Sequence, residues 1–382
     1  HMHSGKRIGG PVSIYCRKLD RRRSNDFYLS RLEDADVHVA DYLAAPKWGG
    51  DREASVLAPH RELITLLPPR MREGVIRLTD AIRYEGPDVV QIWQDGMIFA
   101  AGLAALIANV PRIILNVRTM PPNRRKDRQK PEQEVLYRGL VSAPGVSLTA
   151  NSRLAGRAYE EWLNLPAGSV ATVANGVDPL PDTAPAEERL RWERFDADSG
   201  GIGFTLGAVM RFDDNKRPLF WLDICAALAM KRPDARVVIA GSGPLRGAAE
   251  DYARTLGISD RTLFVGRTSH IGFWLTKMDA LALTSRHEGV PNALIEAQLA
   301  GVPVLTTPAG GAPEAVAPNG VNFILADAEL PSAEEAAGHL NTVSQMPEQQ
   351  LVSARAAVKG WAQDHFAMDQ MVERTIDIFM DR

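Results

Sequence analysis

The sequence predicts an α/β protein built from two Rossmann-like, doubly wound domains that face a cleft. Short β-branched runs alternate with helical patterns along the 382 residues, which is typical of parallel sheets covered by helices. This length exceeds what a single hydrophobic core commonly supports. A charged stretch with three prolines, residues 179–200, lies between the two halves and is typical of a linker. We therefore expect a ligand site at the carboxyl ends of the strands.

The predicted boundaries follow this alternation. The N-terminal domain covers residues 1–178, the C-terminal domain covers residues 201–365, and a last helix, residues 366–382, is expected to cross back to the N-terminal domain. The strands predicted in the first domain are 12–16, 37–42, 88–93, 112–117, 146–150 and 170–174. The strands predicted in the second domain are 203–209, 236–240, 262–265, 280–284 and 302–306.

The start of the first domain departs from the usual doubly wound pattern. Such a domain opens with a strand that is followed by a glycine-rich turn and a helix, whereas Gly9 and Gly10 precede the first predicted strand. Three interpretations stay open. The first strand, loop and helix are missing, or the chain is a fragment of a longer protein, or the domain begins differently.

Composition excludes several classes of partner. The net charge of −3 gives no general argument for a nucleic-acid partner, and none is expected. The uncharged run 96–111 is shorter than the roughly 20 residues of a membrane-spanning helix and predicts a buried helix. The two cysteines, Cys16 and Cys225, are far apart, and the eight histidines have no metal-like spacing. We therefore expect a cytoplasmic protein with no metal site and no cofactor.

The most informative segment is 285–297. It follows a predicted apolar strand, and Pro291 and Asn292 are residues typical of a helix start. The helix ends at Gly301, a residue that favours the left-handed conformation. Free N–H groups and the positive end of the helix dipole make such a helix start a phosphate site.

Two glutamates flank this expected anion site. Glu288 lies in the loop before the helix, and Glu296 lies about one turn inside it. Carboxylates do not bind phosphate, but they accept hydrogen bonds from sugar hydroxyls. Each glutamate by itself is also compatible with an ordinary solvated or helix-stabilising residue. The whole segment favours a site that binds a sugar joined to a diphosphate.

Five motifs in order carry a resemblance to a known family. They are Asn175-Gly176-Val177-Asp178, then Arg211 with Lys216, then Gly241-Ser242-Gly243-Pro244-Leu245, then Glu288 and Glu296 in an E-G-x-P-N-x-x-x-E-A context, then Pro303-Val304 with Gly310-Gly311-Ala312-Pro313-Glu314. The chain resembles the retaining glycosyltransferases of the bacterial group 1 family (family 4), whose GT-B fold has two Rossmann-like domains. The resemblance is strong over about residues 146–325.

This resemblance implies roles for the matching residues. Arg211 and Lys216 bind the two phosphates and, with Glu288 on the transferred sugar, form the catalytic set. Glu296 accepts the ribose hydroxyls. The remaining donor-binding residues are Gly243, Gly266, Arg267, Val290, Pro291, Asn292, Ala293, Leu294, Gly310 and Gly311. Since cations and helix dipoles neutralise the leaving diphosphate, transfer is expected to be metal-independent.

The sequence also departs from the family pattern. The family usually has glycine before the arginine and after the lysine, where this chain has Met210 and Arg217. A histidine that often lies close to the transferred sugar is also missing, and Asp95 takes a similar place or belongs to an ordinary turn. These differences leave catalytic competence open.

The acceptor side is marked by basic residues. Between 112 and 130 lie Arg112, Arg118, Arg124, Arg125, Lys126, Arg128 and Lys130, opposed only by Asp127. A second basic patch is Arg21-Arg22-Arg23. Asp95 and Arg118 are the acceptor-side candidates. The patches suit an anionic acceptor such as a lipid diphosphate, and peripheral association with an anionic inner membrane face. A solvated loop explains them equally well.

The resemblance implies a retaining hexosyltransferase that moves a hexose or N-acetylhexosamine from a nucleoside-diphosphate sugar, with UDP favoured, to a glycan or lipid-linked acceptor in cell-surface polysaccharide synthesis. Two alternatives remain: a nucleotide-sugar-binding module without competent catalysis, or a fragment of a longer transferase. A nucleotide-sugar epimerase on the same fold is weaker, because the segment with Glu288 and Glu296 fits the transferase pattern better. The sequence does not decide the donor sugar, the acceptor, the linkage or the oligomeric state.

Overall fold

The computed structural model describes residues 10–17, 19, 29–43, 58–125, 130–201 and 203–380. The chain divides into two compact units. The first unit comprises residues 1–173 together with residues 369–382, and the second unit comprises residues 174–368. Each unit has its own parallel sheet.

The strands are short and parallel. They are β1 (Ser13–Cys16), β2 (His38–Asp41), β3 (Val89–Trp93), β4 (Arg112–Val117), β5 (Val146–Ala150), β6 (Val170–Thr172), β7 (Thr205–Val209), β8 (Arg236–Ala240), β9 (Thr262–Gly266), β10 (Ala280–Leu283), β11 (Val304–Thr306) and β12 (Phe323–Ile324).

Helices occupy most of the connections between the strands. The α-helices are α1 (Leu29–Glu33), α2 (Arg61–Leu66), α3 (Pro69–Glu85), α4 (Asp95–Ile107), α5 (Pro131–Val141), α6 (Arg153–Leu163), α7 (Ala186–Asp198), α8 (Pro218–Lys231), α9 (Arg246–Thr255), α10 (Ile271–Leu275), α11 (Asn292–Leu299), α12 (Ala333–Ser344), α13 (Glu348–His365) and α14 (Met368–Met380). None of the helices in the described ranges combines the length and the apolar composition that crossing a membrane requires.

The first unit contains the sheet β3-β4-β5-β6 and, within the described residues, a separate parallel pair formed by β1 and β2. The strand predicted at 12–16 is present as β1. The residues that follow it, 20–28, lie outside the described residues. The uncharged run predicted to form a buried helix is α4, whose Ile98, Ala104 and Ala105 are fully buried.

The second unit has a six-stranded sheet with the order β12-β11-β10-β7-β8-β9. The chain runs from β7 outward to β9 and then returns to the other side of β7, where β10 pairs with it. The strand order therefore reverses between β7 and β10. In open parallel sheets a crevice forms at such a reversal, because the loops after the two strands leave in opposite directions.

Alternating side chains of the strands are buried on both faces of this sheet. On β8, Val237 and Ile239 contact one apolar cluster, which includes Trp221 of α8. Val238 and Ala240, one residue out of phase, contact the other cluster, which includes Trp274 of α10. A strand alternates its side chains between faces, so helices on both sides are needed to exclude water. This is the doubly wound arrangement that the sequence predicts.

The stretch predicted as a linker contains α7, which belongs to the second unit and is hydrogen-bonded to the rest of it. The Glu188 carboxylate accepts hydrogen bonds from the Thr268 hydroxyl at 2.7 Å and from the indole N–H of Trp274. Trp274 is completely buried, so its N–H has no access to water. Arg191 donates to the carbonyl oxygen of Val265 at 2.6 Å. These contacts fix α7 against the ends of β9 and α10.

We expect Glu188→Ala to lower the free energy of unfolding by about 1–3 kcal/mol, because it leaves a buried indole N–H without an acceptor. Thermal and urea denaturation of the full chain measure this. Glu187→Ala is the matched control, because Glu187 lies next to Glu188 on α7 and is exposed. Equal stability of the two variants would show that the contact to Trp274 contributes nothing.

Candidate functional site

The candidate site lies at the carboxyl edge of the second unit's sheet, where the strand order reverses. Two loops leave this edge side by side: residues 210–217 after β7 and residues 284–291 after β10. They carry the predicted residues Arg211, Lys216 and Glu288. The loop after β8 contributes Gly243, the loop after β9 contributes Arg267, and the loop after β11 contributes Gly310 and Gly311.

The Asn215 side chain joins the two central loops. Its Nδ2 donates to the carbonyl oxygen of His287 at 3.0 Å, and its Oδ1 accepts from the backbone N–H of His287 at 3.0 Å. The backbone N–H of Arg286 donates to the Asn215 carbonyl oxygen at 2.8 Å. Asn215 thus pairs with the β10 loop as a backbone strand would. The sequence prediction missed this residue, because asparagine in a loop is typical of a turn.

Lys216 and Glu288 form an ion pair between the same two loops. The ammonium of Lys216 contacts Oε1 of Glu288, and the two side chains are 21% and 12% exposed. The Lys216 backbone N–H donates to Oδ1 of Asp213 at 3.1 Å, which fixes the turn that presents the lysine. The structure therefore brings together two of the three predicted catalytic residues. Their charges are partly shielded from water, so each acts strongly on a bound group.

Arg211 does not join this pair in the structure. Its side chain is 71% exposed, and its Nε lies 3.4 Å from Oδ2 of Asp213. An exposed ion pair of this kind is worth little, since water screens it and both side chains keep alternative conformations. Arg211 lies on the same loop as Lys216. Its guanidinium would need a rotamer other than the observed one to reach an anion bound beside Lys216.

Helix α11 begins beside Glu288 without a side-chain cap. Its N-cap residue is Pro291, which makes no side-chain cap hydrogen bond. Val290 and Pro291 are buried, and Asn292 and Ala293 occupy the first turn. Free N–H groups at a helix start bind anions and add the positive end of the helix dipole.

The entry to α11 is held by Asn175, the first residue of the Asn-Gly-Val-Asp motif. Its Nδ2 donates to the carbonyl oxygen of Val290 at 2.9 Å and to Oδ1 of Asn292 at 2.6 Å. The amide of Asn292 is therefore engaged sideways and does not cap its own helix. This contact gives the motif a physical role, because it fixes the direction of the chain just before the uncapped first turn.

Glu296 lies one turn into α11 and is partly buried. Burial raises the pKa of its carboxyl group above the usual value of 4.5. Within the described part of the chain, its carboxylate has no hydrogen bond or ion pair. A buried carboxylate without donors is costly, and hydroxyl groups of a ligand are donors that would offset this cost.

Three of the four glycines predicted to bind the donor, Gly243, Gly266 and Gly310, lie where the chain is crowded or left-handed. A Cβ at Gly243 would collide with the backbone of Phe212, so the loops after β7 and β8 approach each other only because this residue is glycine. Gly266 has φ +84° and Gly310 has φ +53°. Both lie at the carboxyl edge, and Gly311 leads from there into a short turn of 3₁₀ helix, Ala312–Ala315. Arg267, which follows β9, is exposed.

The predicted acceptor-side residues belong to the first unit. Arg118 follows β4, and its guanidinium lies 5.1 Å from the ring centroid of Trp93. Burial lowers the pKa of Arg118. Asp95 begins α4 after Gln94, which has φ +70° and ψ +146°, a backbone region that is essentially restricted to glycine. The side chain of Asp95, residues 21–23 and residues 126–128 lie outside the described residues.

The described ranges contain no group of three or more histidine, cysteine, aspartate or glutamate side chains arranged to hold a metal ion. Lys216, Arg211 and Arg267 each carry a cationic group on a loop at the carboxyl edge. Together with the start of α11, they make the edge suitable for an anionic ligand that also carries hydroxyl groups.

Two family profiles match the chain. The profile described as glycosyl transferases group 1 matches residues 196–359, and the profile described as glycosyltransferase family 4 matches residues 28–179. The first match contains the edge described above, from Arg211 to Gly311. The second match contains Asp95, Arg118 and Asn175.

The curated relatives include biosynthetic proteins and transferases. The Vi polysaccharide biosynthesis protein VipC/TviE of Salmonella typhi is 39% identical over 337 residues, which cover 87% of this chain and 58% of that protein. The 2-deoxystreptamine glucosyltransferase of Streptomyces kanamyceticus is 29% identical over 294 residues, which cover 74% of each chain. This chain therefore spans little more than half the length of the Salmonella protein.

Solved structures share the fold. HepE of Anabaena, in complex with UDP and glucose, superposes with a TM-score of 0.75 at 18% identity and covers 100% of this chain and 94% of its own. The lipopolysaccharide outer core galactosyltransferase WaaB superposes with a TM-score of 0.63 at 17% identity, over 100% of this chain and 92% of its own. The prediction of a GT-B type α/β fold is confirmed.

We expect Glu296→Gln to stabilise the full chain at neutral pH. The folded-state pKa of Glu296 is raised above 4.5, so the carboxyl group favours folding while it is protonated and opposes folding once pH rises through the folded pKa. The gain in Tm should therefore shrink as pH falls from neutral toward 4.5, because a growing fraction of the wild-type carboxyl group is then protonated. Calorimetric melting across this range measures it.

Glu193→Gln on the exposed side of α7 is the control for the loss of one negative charge. A gain in Tm for Glu296→Gln that stays constant across the pH range would contradict the assignment, because it would then come from packing and not from ionisation.

Proposed function

This chain belongs to the group 1 glycosyltransferase family, and we propose that it is a metal-independent, retaining hexosyltransferase. It moves a hexose or N-acetylhexosamine from a nucleoside-diphosphate sugar, preferably a UDP sugar, to a glycan or lipid-linked acceptor. The observation that carries this proposal is the Lys216–Glu288 ion pair beside the uncapped start of α11. A cation, free backbone N–H groups and a carboxylate suit the two ends of a sugar diphosphate.

In this proposal the diphosphate lies between the β7 loop and α11. Lys216 and Arg211 contact the phosphates, and the first-turn N–H groups of α11 donate to them. As the bond between the anomeric carbon and the phosphate oxygen breaks, its electron pair stays on the diphosphate. The negative charge there grows, so a fixed cation stabilises the transition state more than the bound donor.

The sugar and ribose hydroxyls meet carboxylates. Glu288 accepts from the transferred sugar, and Glu296 accepts from the ribose. Glu288 is paired with Lys216, so in this proposal a bound donor shares the lysine's charge between the glutamate and a phosphate. Glu296 is already desolvated, which makes the hydrogen bonds from ribose stronger than they would be in water.

The relatives support the substrate classes proposed here. The Salmonella typhi relative is described as a Vi polysaccharide biosynthesis protein, which supports a role in the synthesis of a cell-surface polysaccharide. HepE of Anabaena has been solved with UDP and glucose and with UDP-glucose, which supports uridine as the base. Arg118 and Asp95 are proposed for the acceptor, and the basic residues of the first unit suit an anionic acceptor at a membrane surface.

A binding module without competent catalysis is the second candidate. It is favoured by one observation: Gln94 and Asp95 follow β3 where the family often has a histidine. Turnover separates the two candidates, because a binding module retains affinity for the nucleotide without transferring or hydrolysing the sugar.

We expect the full chain to hydrolyse or transfer from at least one UDP sugar, and its rate to stay unchanged when a chelator is added. The reason is that Lys216 and Arg211 supply the positive charge that a metal ion supplies elsewhere. Release of UDP from a panel of radiolabelled sugar nucleotides measures turnover. Abolition by the chelator and restoration by manganese would overturn the metal-independent mechanism.

Lys216→Ala and Glu296→Ala should fail in different ways. Loss of Lys216 should lower kcat by about 10²–10³, as for other preorganised charges that stabilise a leaving group. Loss of Glu296 should raise KM with a smaller effect on kcat, because ribose changes little during the reaction. Steady-state kinetics with the UDP sugar measures both.

Lys231→Ala is the control for the lysine, because Lys231 lies at the far end of α8 and makes only a partly exposed ion pair with Glu334 at 3.8 Å. Melting curves of all variants must show folded protein. An unchanged kcat for Lys216→Ala, or an unchanged KM for Glu296→Ala, would contradict the proposed donor position.

A further inference from the structure

We infer that Arg217 is a positioning residue that locks the loop carrying Lys216 onto the loop carrying Glu288. The inference rests on the proposed function, in which these two residues act on the donor. Arg217 contacts neither the ammonium group of Lys216 nor, in the proposed function, any atom of the donor. Arg217 stands where the family usually has glycine, and the structure shows what the arginine contributes at that place.

The backbone of Arg217 is strained. It has φ +50° and ψ +57°, the left-handed region that favours glycine. The residues other than glycine with positive φ in the described ranges are Asp36, Gln94, Asn109, Asn164 and Arg217. Aspartate and asparagine tolerate this region because their side chains bond locally, whereas arginine has no such compensation. An arginine is less favourable than a glycine in this conformation, so something else must offset the cost.

The guanidinium of Arg217 offsets it by reaching the end of the neighbouring strand. Its Nε donates to the carbonyl oxygen of Thr284 at 2.5 Å, and its Nη2 donates to that of Ser285 at 3.2 Å. The residue is only 7% exposed. Its guanidinium also lies 5.4 Å from the ring centroid of Phe220. A buried guanidinium held by two carbonyls of one loop has a single position.

A further hydrogen bond joins the two loops, with its donor on the β10 loop and its acceptor on the β7 loop. The Thr284 hydroxyl donates to the carbonyl oxygen of Lys216 at 2.9 Å. Ser285 in turn accepts from the Thr307 hydroxyl at 2.6 Å, which extends the connection to the end of β11. The carbonyl of Lys216 is therefore fixed to Thr284, four positions before Glu288, and the side chain of Arg217 is fixed to Thr284 and Ser285.

Burial, followed by the repulsion of Arg286, lowers the pKa of Arg217 to about 10. The guanidinium is still charged at neutral pH. Asp327 and Glu329 act on it only through their charge, and among the described side chains no carboxylate is hydrogen-bonded to it. The charge is thus held by carbonyl oxygens at the carboxyl edge.

Arg217→Gly is the decisive variant, because glycine relieves the backbone strain and at the same time removes the two hydrogen bonds to Thr284 and Ser285, which form the tether between the loops. We expect its Tm to stay within the range of the wild type while its affinity for UDP falls about tenfold. UDP is the probe because the free diphosphate carries the charge that develops during transfer. Calorimetric titration of the full chain measures the Kd, and Arg217→Lys, which keeps a charge and one donor group, should recover part of the loss.

Asn164→Gly is the matched control, because Asn164 is also left-handed, with φ +54°, at the end of α6 in the first unit. It relieves the same kind of strain away from the site and should leave the Kd for UDP unchanged. The double variant Arg217→Gly/Lys216→Ala should lose no more affinity than Lys216→Ala alone, because a residue that acts through Lys216 has nothing left to position.

Two results would overturn the inference: an unchanged Kd for Arg217→Gly, or losses that add fully in the double variant. Failure of the wild-type chain to bind UDP would overturn the proposed function instead. Amide hydrogen exchange at Arg286 and His287, whose N–H groups bond to Asn215, tests in either case whether Arg217 holds the two loops together. Arg217→Gly should speed this exchange, and unchanged exchange would show that Arg217 does not hold the loops together.

Discussion

The reversal of strand order between β7 and β10 is the constraint on which the rest of the site depends. Neighbouring strands that lead into opposite halves of the sheet leave their loops side by side, and the hydrogen bonds of Asn215, Arg217 and Thr284 then join those loops. Without the reversal, Lys216 and Glu288 would be separated by the width of another strand. Their ion pair is therefore a consequence of topology before it is a consequence of side-chain chemistry.

The same edge holds several features that oppose stability. Glu296 is desolvated, the start of α11 lacks a side-chain cap, and Arg217 has a left-handed backbone. Ser152 and Ser332 cap α6 and α12 with their side chains, whereas α7, α8 and α13, like α11, begin without a side-chain cap, so the start of α11 is distinguished by its place beside Glu288. Unfavourable groups that gather at one edge of an otherwise well-packed sheet are typical of a preorganised binding site.

The sequence was sufficient for what depends on local pattern. β-Branched runs and their spacing predict the strands β1 to β11 to within a few residues, because short apolar, β-branched runs are typical of parallel strands. The sequence does not predict β12, which has only two residues. It also predicts a linker where α7 forms, because a charged helix is typical of a solvent-exposed segment, and the contacts of Glu188 and Arg191 are visible only in the structure. Asn215 was missed for a related reason. Its partners lie 72 residues away, and no local pattern reports such a distance.

Arg217 shows why a departure from a family pattern needs a structure before it is interpreted. Read alone, an arginine in a glycine position indicates a damaged loop and supports a protein that has lost catalysis. In the structure the same residue keeps the left-handed turn and adds two hydrogen bonds across the site. Glycine would permit the turn without any side-chain contact, whereas arginine strains the turn and joins it by hydrogen bonds to the end of β10. The substitution therefore exchanges local backbone freedom for long-range order, and Arg217 gives no argument for a damaged loop beside Lys216.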